Sequence, residues 1–216
     1  MSGAPSFYTD TPALDRLRLG DVIRGFAFAS PQIEKPSPTP LTRYSIDLDY
    51  PDFQVVLTPC CSVGNGVLSL CPLIHINPRM LIVPHAVDDL SRLNRRMTFD
   101  QAVPAEQQKA LEKEGVLARR RADWSLEGDY AWKEWFIYAP NTILPSYSPV
   151  HGSADTSYHA VDFRQVHHVA CRQVSSPESV PTGIKFLELS IASRNDLRGK
   201  IVNYYGRVPV EDSALL

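Results

Sequence analysis

Gln54-Val55-Val56-Leu57-Thr58-Pro59, followed shortly by Val67-Leu68-Ser69-Leu70-Cys71-Pro72-Leu73-Ile74-His75-Ile76, is the pair of segments on which the fold turns. The first is an apolar, β-branched run stopped by a proline, which cannot donate to a sheet ladder. The second reads as its antiparallel partner. Gly64-Asn65-Gly66 between them supplies a turn, because Gly and Asn accept positive φ at little cost. A buried hairpin is therefore expected.

Toward the N-terminus, order is expected from Arg18; Gly20-Asp21 is a turn signal, and an apolar strand follows it within 22–28. Pro31, Pro36, Pro38 and Pro40 make 30–41 a long exposed loop. Residues 44–48 alternate apolar and polar side chains, as a half-buried strand does.

Toward the C-terminus the period changes. Residues 86–96 and 105–121 are rich in helix formers, with Pro104 at a first-turn position and Gly115 as a weak point. Trp124, Trp132, Trp135 and Phe136 need packing partners, and 140–152 is a second proline-rich connection. Strand signals return at 158–163, 165–171 and 184–189. A final helix is expected from Ser193 as N-cap, with Asp196 at capping-box spacing, an apolar stripe of Leu197, Ile201, Tyr204 and Tyr205, and Gly206 as its stop.

Composition narrows the function classes. Across 216 residues, 44% are hydrophobic and 21% charged, enough for a real core and an ordinary surface. With 22 basic against 24 acidic side chains, no strong non-specific pull toward nucleic acid or anionic membrane is expected. The first residues do not read as a signal peptide, and no apolar run approaches the roughly 18 residues of a membrane span. Four cysteines, with Cys60 and Cys61 adjacent, do not form a secreted disulfide framework, so reduced thiols in a cytoplasm are expected.

The Gly-Asp-apolar start, the proline-rich loop, the Val-Val-Leu-Thr-Pro strand and the strand ending near Pro72 resemble the PemK/MazF family of toxins. Ala160-Val161-Asp162-Phe163-Arg164-Gln165-Val166 is similar to the family's strand before its last helix, with 189–205 as the terminal helical region. The resemblance covers 18–76 and 158–206. It implies an α+β, mainly β fold: an SH3-like small barrel with a helical insertion and a C-terminal helix. On that reading 1–216 is a single domain. Residues 1–17 form a flexible N-terminus, 18–83 and 151–206 the barrel, and 84–150 the helical insertion.

The family's barrels, often dimeric, cut single-stranded RNA without metal or cofactor by attack of the ribose 2′-hydroxyl on its own phosphate, an arginine stabilising the added charge. Here Asp52-Phe53-Gln54 stands where the family places that arginine, and Ile74 stands at its threonine. Both side chains are replaced. The resemblance then implies a prokaryotic toxin or antiviral-defence protein acting as a binding or regulatory module. Its partner would be a protein, an antitoxin or a defence component, with no membrane role and the homodimer as a further option. The alternative is a metal-independent endoribonuclease with a rearranged site, using His75 or His168 with Arg24 or Arg79.

Other chemistry is weighed against plainer roles. Arg24, Arg79, Arg92, Arg95 and Arg96 are candidates for a phosphate-binding surface, to which Arg119-Arg120-Arg121 would add; the acidic residues around the triple arginine favour a solvated face. Tyr44, Tyr50 and Phe53 are candidates to stack single-stranded RNA bases, or else are core. RNA contact falls to Arg79, Arg95, Arg96 and Tyr44. Adjacent cysteines point to opposite strand faces, so at most one of Cys60 and Cys61 joins Cys71 and His75, too few ligands for a closed zinc site. In His167-His168, one ring faces the core and the other faces solvent. There is no Gly-rich phosphate loop, no Gly-x-Ser-x-Gly and no His-Glu-x-x-His, which sets aside the common kinase, dehydrogenase and hydrolase readings.

Overall fold

Among the described residues, short runs rich in β-branched and aromatic side chains form ten short strands, and one long helix lies near the C-terminal end. The computed structural model describes residues 6–32, 45–63, 66–76, 90–96, 109–110, 113–115, 132–146, 157–170 and 183–206. The chain divides into two compact units, Asp10–Leu73 with Gln165–Glu188, and Met1–Thr9 with Ile74–Arg164 and Leu189–Leu216. We call them the sheet unit and the helix unit.

The sheet unit carries strands β1 (Val22–Ile23), β2 (Phe28–Gln32), β3 (Ser45–Asp49), β4 (Gln54–Val56) and β5 (Val67–Pro72). The later strands β9 (His167–Ala170) and β10 (Lys185–Leu187) belong to it as well. Five of these form an antiparallel sheet in the order β10-β1-β4-β5-β9, and β2 pairs with β3 as a separate ribbon. The expected hairpin is present: Val55 is level with Cys71, and Val56 with Leu70. Gly64-Asn65 of its turn lie outside the described residues, and a 3₁₀ turn, Cys60–Ser62, sits in the connection. Side chains alternate across the strands, so Ile23, Val56, Leu68 and Leu70 share one face and pack with Leu17, Phe28 and Val63. On the opposite face Val22, Val55 and Cys71 are also fully buried. Gly20 has φ +86° and donates to the Val56 carbonyl at 2.7 Å, closing the turn ahead of β1.

The helix unit holds β6 (Ile74–His75), β7 (Trp135–Tyr138) and β8 (His159–Asp162), in the order β6-β8-β7, and the helix α1 (Ile191–Tyr205). Ile76, Leu90, Leu93, Ile137 and Ala160 form its core, flanked by Trp132, Trp135 and Tyr158. Leu90 and Leu93 come from a 3₁₀ turn, Leu90–Asn94. β7 lies at the edge of its sheet, and the Asn94 amide serves as its missing neighbour. Asn94 Nδ2 donates to the Ile137 carbonyl at 2.6 Å, and the Ile137 N–H donates to Asn94 Oδ1 at 2.7 Å, all of it buried. On α1, Leu197 and Lys200 are fully buried, and Lys200 Nζ donates to the Leu93 carbonyl at 2.8 Å. Arg95 and Asp196 form an outer ion pair at 2.9 Å.

The fold is thus mixed α/β, mostly strand, with one C-terminal helix. Among the described residues both larger sheets are open and antiparallel, with β9 and β10 as the free edges of the five-stranded one. Several expectations need correction. The run 67–76 is two strands in two sheets, because Pro72 offers no N–H and the Leu73 N–H turns away to the Phe53 carbonyl. The expected loop at 30–41 starts later, since β2 runs through Pro31 to Gln32; a proline fits an edge strand of a two-stranded ribbon. The described part of 86–96 is a 3₁₀ turn rather than an α-helix. Trp135–Tyr138 is a strand, missed because an unbroken apolar run lacks a period. The helix cap is Ser190, whose Oγ accepts the Ser193 N–H at 3.3 Å, so Ser193 is three residues inside. Its Cβ-free stop, Gly206, is where it was expected. Residues 6–17, read as flexible, include a Tyr8–Leu189 bridge and the fully buried Leu17. Of the expected 105–121 helix, Lys109, Ala110 and Lys113 are helical and most of the rest lies outside the described residues.

Two outcomes follow. Asn94→Ala strands a buried N–H and a buried carbonyl of Ile137, so it should cost about 2–4 kcal/mol in urea unfolding. Burial lowers the Lys200 ammonium from 10.5 to about 7, with Glu134 opposing. The unfolded chain therefore holds the extra proton between those values, and stability should rise as pH goes from about 7 toward 10. Lys200→Met should flatten that slope in urea midpoints measured across the range.

Candidate functional site

Three places in the sheet unit combine polar chemistry with a fixed geometry. The first is buried. Lys185 Nζ donates to Asp21 Oδ2 at 2.7 Å, to Glu188 Oε2 at 2.8 Å and to the Arg16 carbonyl at 2.9 Å. Glu188 also accepts from the Ala13 N–H at 3.0 Å and from Arg18 at 2.9 Å. Burial raises the Asp21 carboxyl to about 6 against the pull of Lys185. At Glu188 burial also pushes upward, but the hydrogen bonds from Lys185 and Ala13 outweigh it and the net direction is down. All three side chains are buried, so this cluster is a structural tie between the start of the unit and β10. Sequence reading missed it, because Gly20-Asp21 looks like a turn and Lys185 like a solvated strand residue.

The second place is the face around β9. His168 is exposed and its Nδ1 lies 3.0 Å from Ser69 Oγ on the neighbouring strand, while Thr58 Oγ1 accepts the Ser69 N–H at 2.6 Å. His167 points the other way and stacks on Phe28, ring centroids 4.2 Å apart with the two planes within 1° of parallel. Burial lowers its pKa, Asp49 opposes, and His168 adds to the lowering. The expected split of the two histidines between core and solvent is what the strand produces.

The third is Arg24, exposed at the end of β1. Its Cζ sits 4.0 Å from the Phe53 ring centroid and 4.9 Å from that of Phe186. Gly25 follows with φ +100°, which lets the chain leave the sheet there. Arg24 and His168 do not share a site. Ile23 is level with Gln54 and Gln54 with Pro72, whereas His168 is level with Ser69. At about 3.3 Å per residue and 4.8 Å between strands, their backbones stand roughly 20 Å apart.

The ribbon is the most exposed element of this unit. Phe28↔Asp49, Ala29↔Leu48, Pro31↔Ile46 and their neighbours set its register. One face carries Phe28, Ser30, Gln32, Ser45, Asp47 and Asp49; the other carries Ala29, Pro31, Ile46 and Leu48. That second face is wholly apolar and open to solvent, with Ile46 53% and Leu48 59% exposed and Tyr50 beyond them at 69%.

In the helix unit His75 lies directly across from His159, ring centroids 5.4 Å apart at 84°. Burial, reinforced by His75, lowers His159 to about 4, so that ring is neutral at pH 7. Arg95 is committed to Asp196 and Arg96 is exposed nearby in sequence. Arg79 and Tyr44, as well as Arg119-Arg120-Arg121, lie outside the described residues. Phe53 is core and Tyr50 is exposed. Cys71 is buried and Cys61 exposed. Among the described residues no three His, Cys, Asp or Glu side chains gather as a metal would need, and no helix is long and apolar enough to cross a membrane.

No protein-family model, curated protein or solved structure matches this chain.

Lys185→Met should destabilise by about 3–5 kcal/mol in denaturant, because it leaves the buried Asp21 carboxylate without its cation and Glu188 with Arg18 but not Lys185. Arg24→Gln, on the surface, should stay within about 1 kcal/mol of the parent protein.

Proposed function

We propose that this chain is a MazF-like, SH3-like barrel module of a prokaryotic toxin or antiviral-defence system that works by binding a partner protein, its ribonuclease site lost. The observation that carries this is the ribbon. β3 is paired on one side only among the described residues, so it offers unpaired backbone donors and acceptors beside an exposed apolar face. An extended segment of a partner protein adds to such an edge through its main chain and lays alternate apolar side chains over Ile46, Leu48 and Tyr50. The carboxylates Asp47 and Asp49 on the opposite face favour basic residues at the intervening positions of that segment.

An antiparallel sheet of five short strands, drawn from within both 18–76 and 158–206, supports the SH3-like assignment. The loss of the nuclease site is supported by Asp52-Phe53-Gln54 and by Ile74, half-buried and without a hydroxyl. The wide spacing of Arg24 and His168 speaks against a rebuilt site from those two. An endoribonuclease reading retains one favourable feature, the Ser69–His168 pair, as a hydroxyl beside an acid–base group.

Two measurements separate these. A partner identified by co-purification from the native cell and reconstituted from pure components should bind about tenfold or more weakly to Leu48→Asp, since desolvating one such side chain contributes about 1.5 kcal/mol or more. Reconstituted binding that ignores this change would remove the ribbon reading. Labelled single-stranded RNA incubated with the protein in chelator should remain intact; cleavage lost in His168→Ala would establish the enzyme instead.

A further inference from the structure

We infer that Arg24 is a preformed receptor for a carboxylate group, a site separate from the ribbon and independent of the partner reading. Its backbone is anchored, the Arg24 N–H donating to the Ile184 carbonyl at 2.8 Å. Its guanidinium is held over Phe53 and Phe186, whose rings meet edge to face at 89° and 5.9 Å. Phe53 is core and cannot swing away. A side chain that would otherwise lose rotamer freedom on binding is therefore already ordered, which lowers the cost of capture.

Among the described residues the fork itself is unspent. Arg18, Arg95 and Arg164 donate to carboxylates, Arg194 to a carbonyl and Arg198 to an amide oxygen. Arg24 donates from its guanidinium to no acceptor among the described residues, although Asp52 adjoins Phe53 in the chain. A single planar fork fits a single planar carboxylate in two parallel hydrogen bonds. The exposed acids Asp47, Asp49 and Asp52 in the same stretch of chain disfavour a polyanion such as RNA or a doubly charged phosphate group. A protein ligand has two sources of carboxylate, an acidic side chain or a C-terminus.

The test follows the Arg24 Nε–Hε resonance of the intact, ¹⁵N-labelled protein, assigned by its disappearance in Arg24→Gln. Sodium acetate is titrated against sodium chloride at matched ionic strength, and sodium phosphate in parallel. The expected result is a saturable shift with acetate, absent with chloride and weaker by about tenfold in Phe186→Leu, which keeps the arginine but removes one ring. Arg24→Lys should not restore acetate binding, as read from the neighbouring Phe53 and Phe186 signals. A capped tripeptide with one internal glutamate, compared with one ending in a free carboxylate, identifies the source. Saturation by phosphate at lower concentration than acetate would overturn the carboxylate assignment. An acetate shift that never saturates, or that Arg198 shares equally, would overturn the site. Leu48→Asp should leave the titration unchanged, so loss of the ribbon reading and loss of this one register separately.

Discussion

The sheet unit depends on one buried cation. Lys185 lies far along the chain from Asp21, yet β10 must return to pair with β1, the first strand. Hydrophobic burial alone does not select which short strand takes that place, since a strand with two apolar residues fits many edges. A buried ammonium does select, because it is tolerated only where carboxylates meet it. Asp21 and Glu188 meet it; the Ala13 N–H shares Glu188 Oε2 with Lys185, and Arg18 takes Oε1. The network thereby holds the segment before β1 against the strand that closes the order of the sheet.

The helix unit is held by polar groups used the same way. An edge strand normally exposes its ladder, and β7 would do so in a buried setting. The Asn94 amide, with one donor and one acceptor, copies a strand's backbone and closes that edge. Lys200 on α1 then ties the same 3₁₀ turn to the helix through the Leu93 carbonyl. A turn of five residues thus meets both the sheet and the helix of this unit.

Several charged side chains of the described residues are committed to structural ties. Arg18, Arg95 and Arg164 each hold a carboxylate, and His159 is a neutral, buried ring. Among the described residues, an apolar ribbon face and an arginine lying on aromatic rings are exposed to solvent. Both have the character that the proposed binding role requires, and Arg24 and His168 stand well apart across the sheet.

Much of the strand order was legible in the chain. The β4–β5 hairpin, the strands near 159–162, 167–170 and 185–187, the last helix and the facing of His167 and His168 all follow from period and turn chemistry, which act between near neighbours. Local pattern also carried limits. Trp135–Tyr138 has no period to read, Ser190 and Ser193 are equally good caps until the helix direction is set, and Pro31 looks like a loop residue until its strand is known to be an edge. What the amino-acid order determined by itself was where strands and the last helix form. Only tertiary structure decided that 67–76 serves two sheets, that Lys185 is buried beside Asp21, and that Ile46 and Leu48 face water. Those outcomes rest on contacts between residues far apart in the chain, and no local propensity encodes which distant group will arrive to satisfy a charge or cover an apolar face.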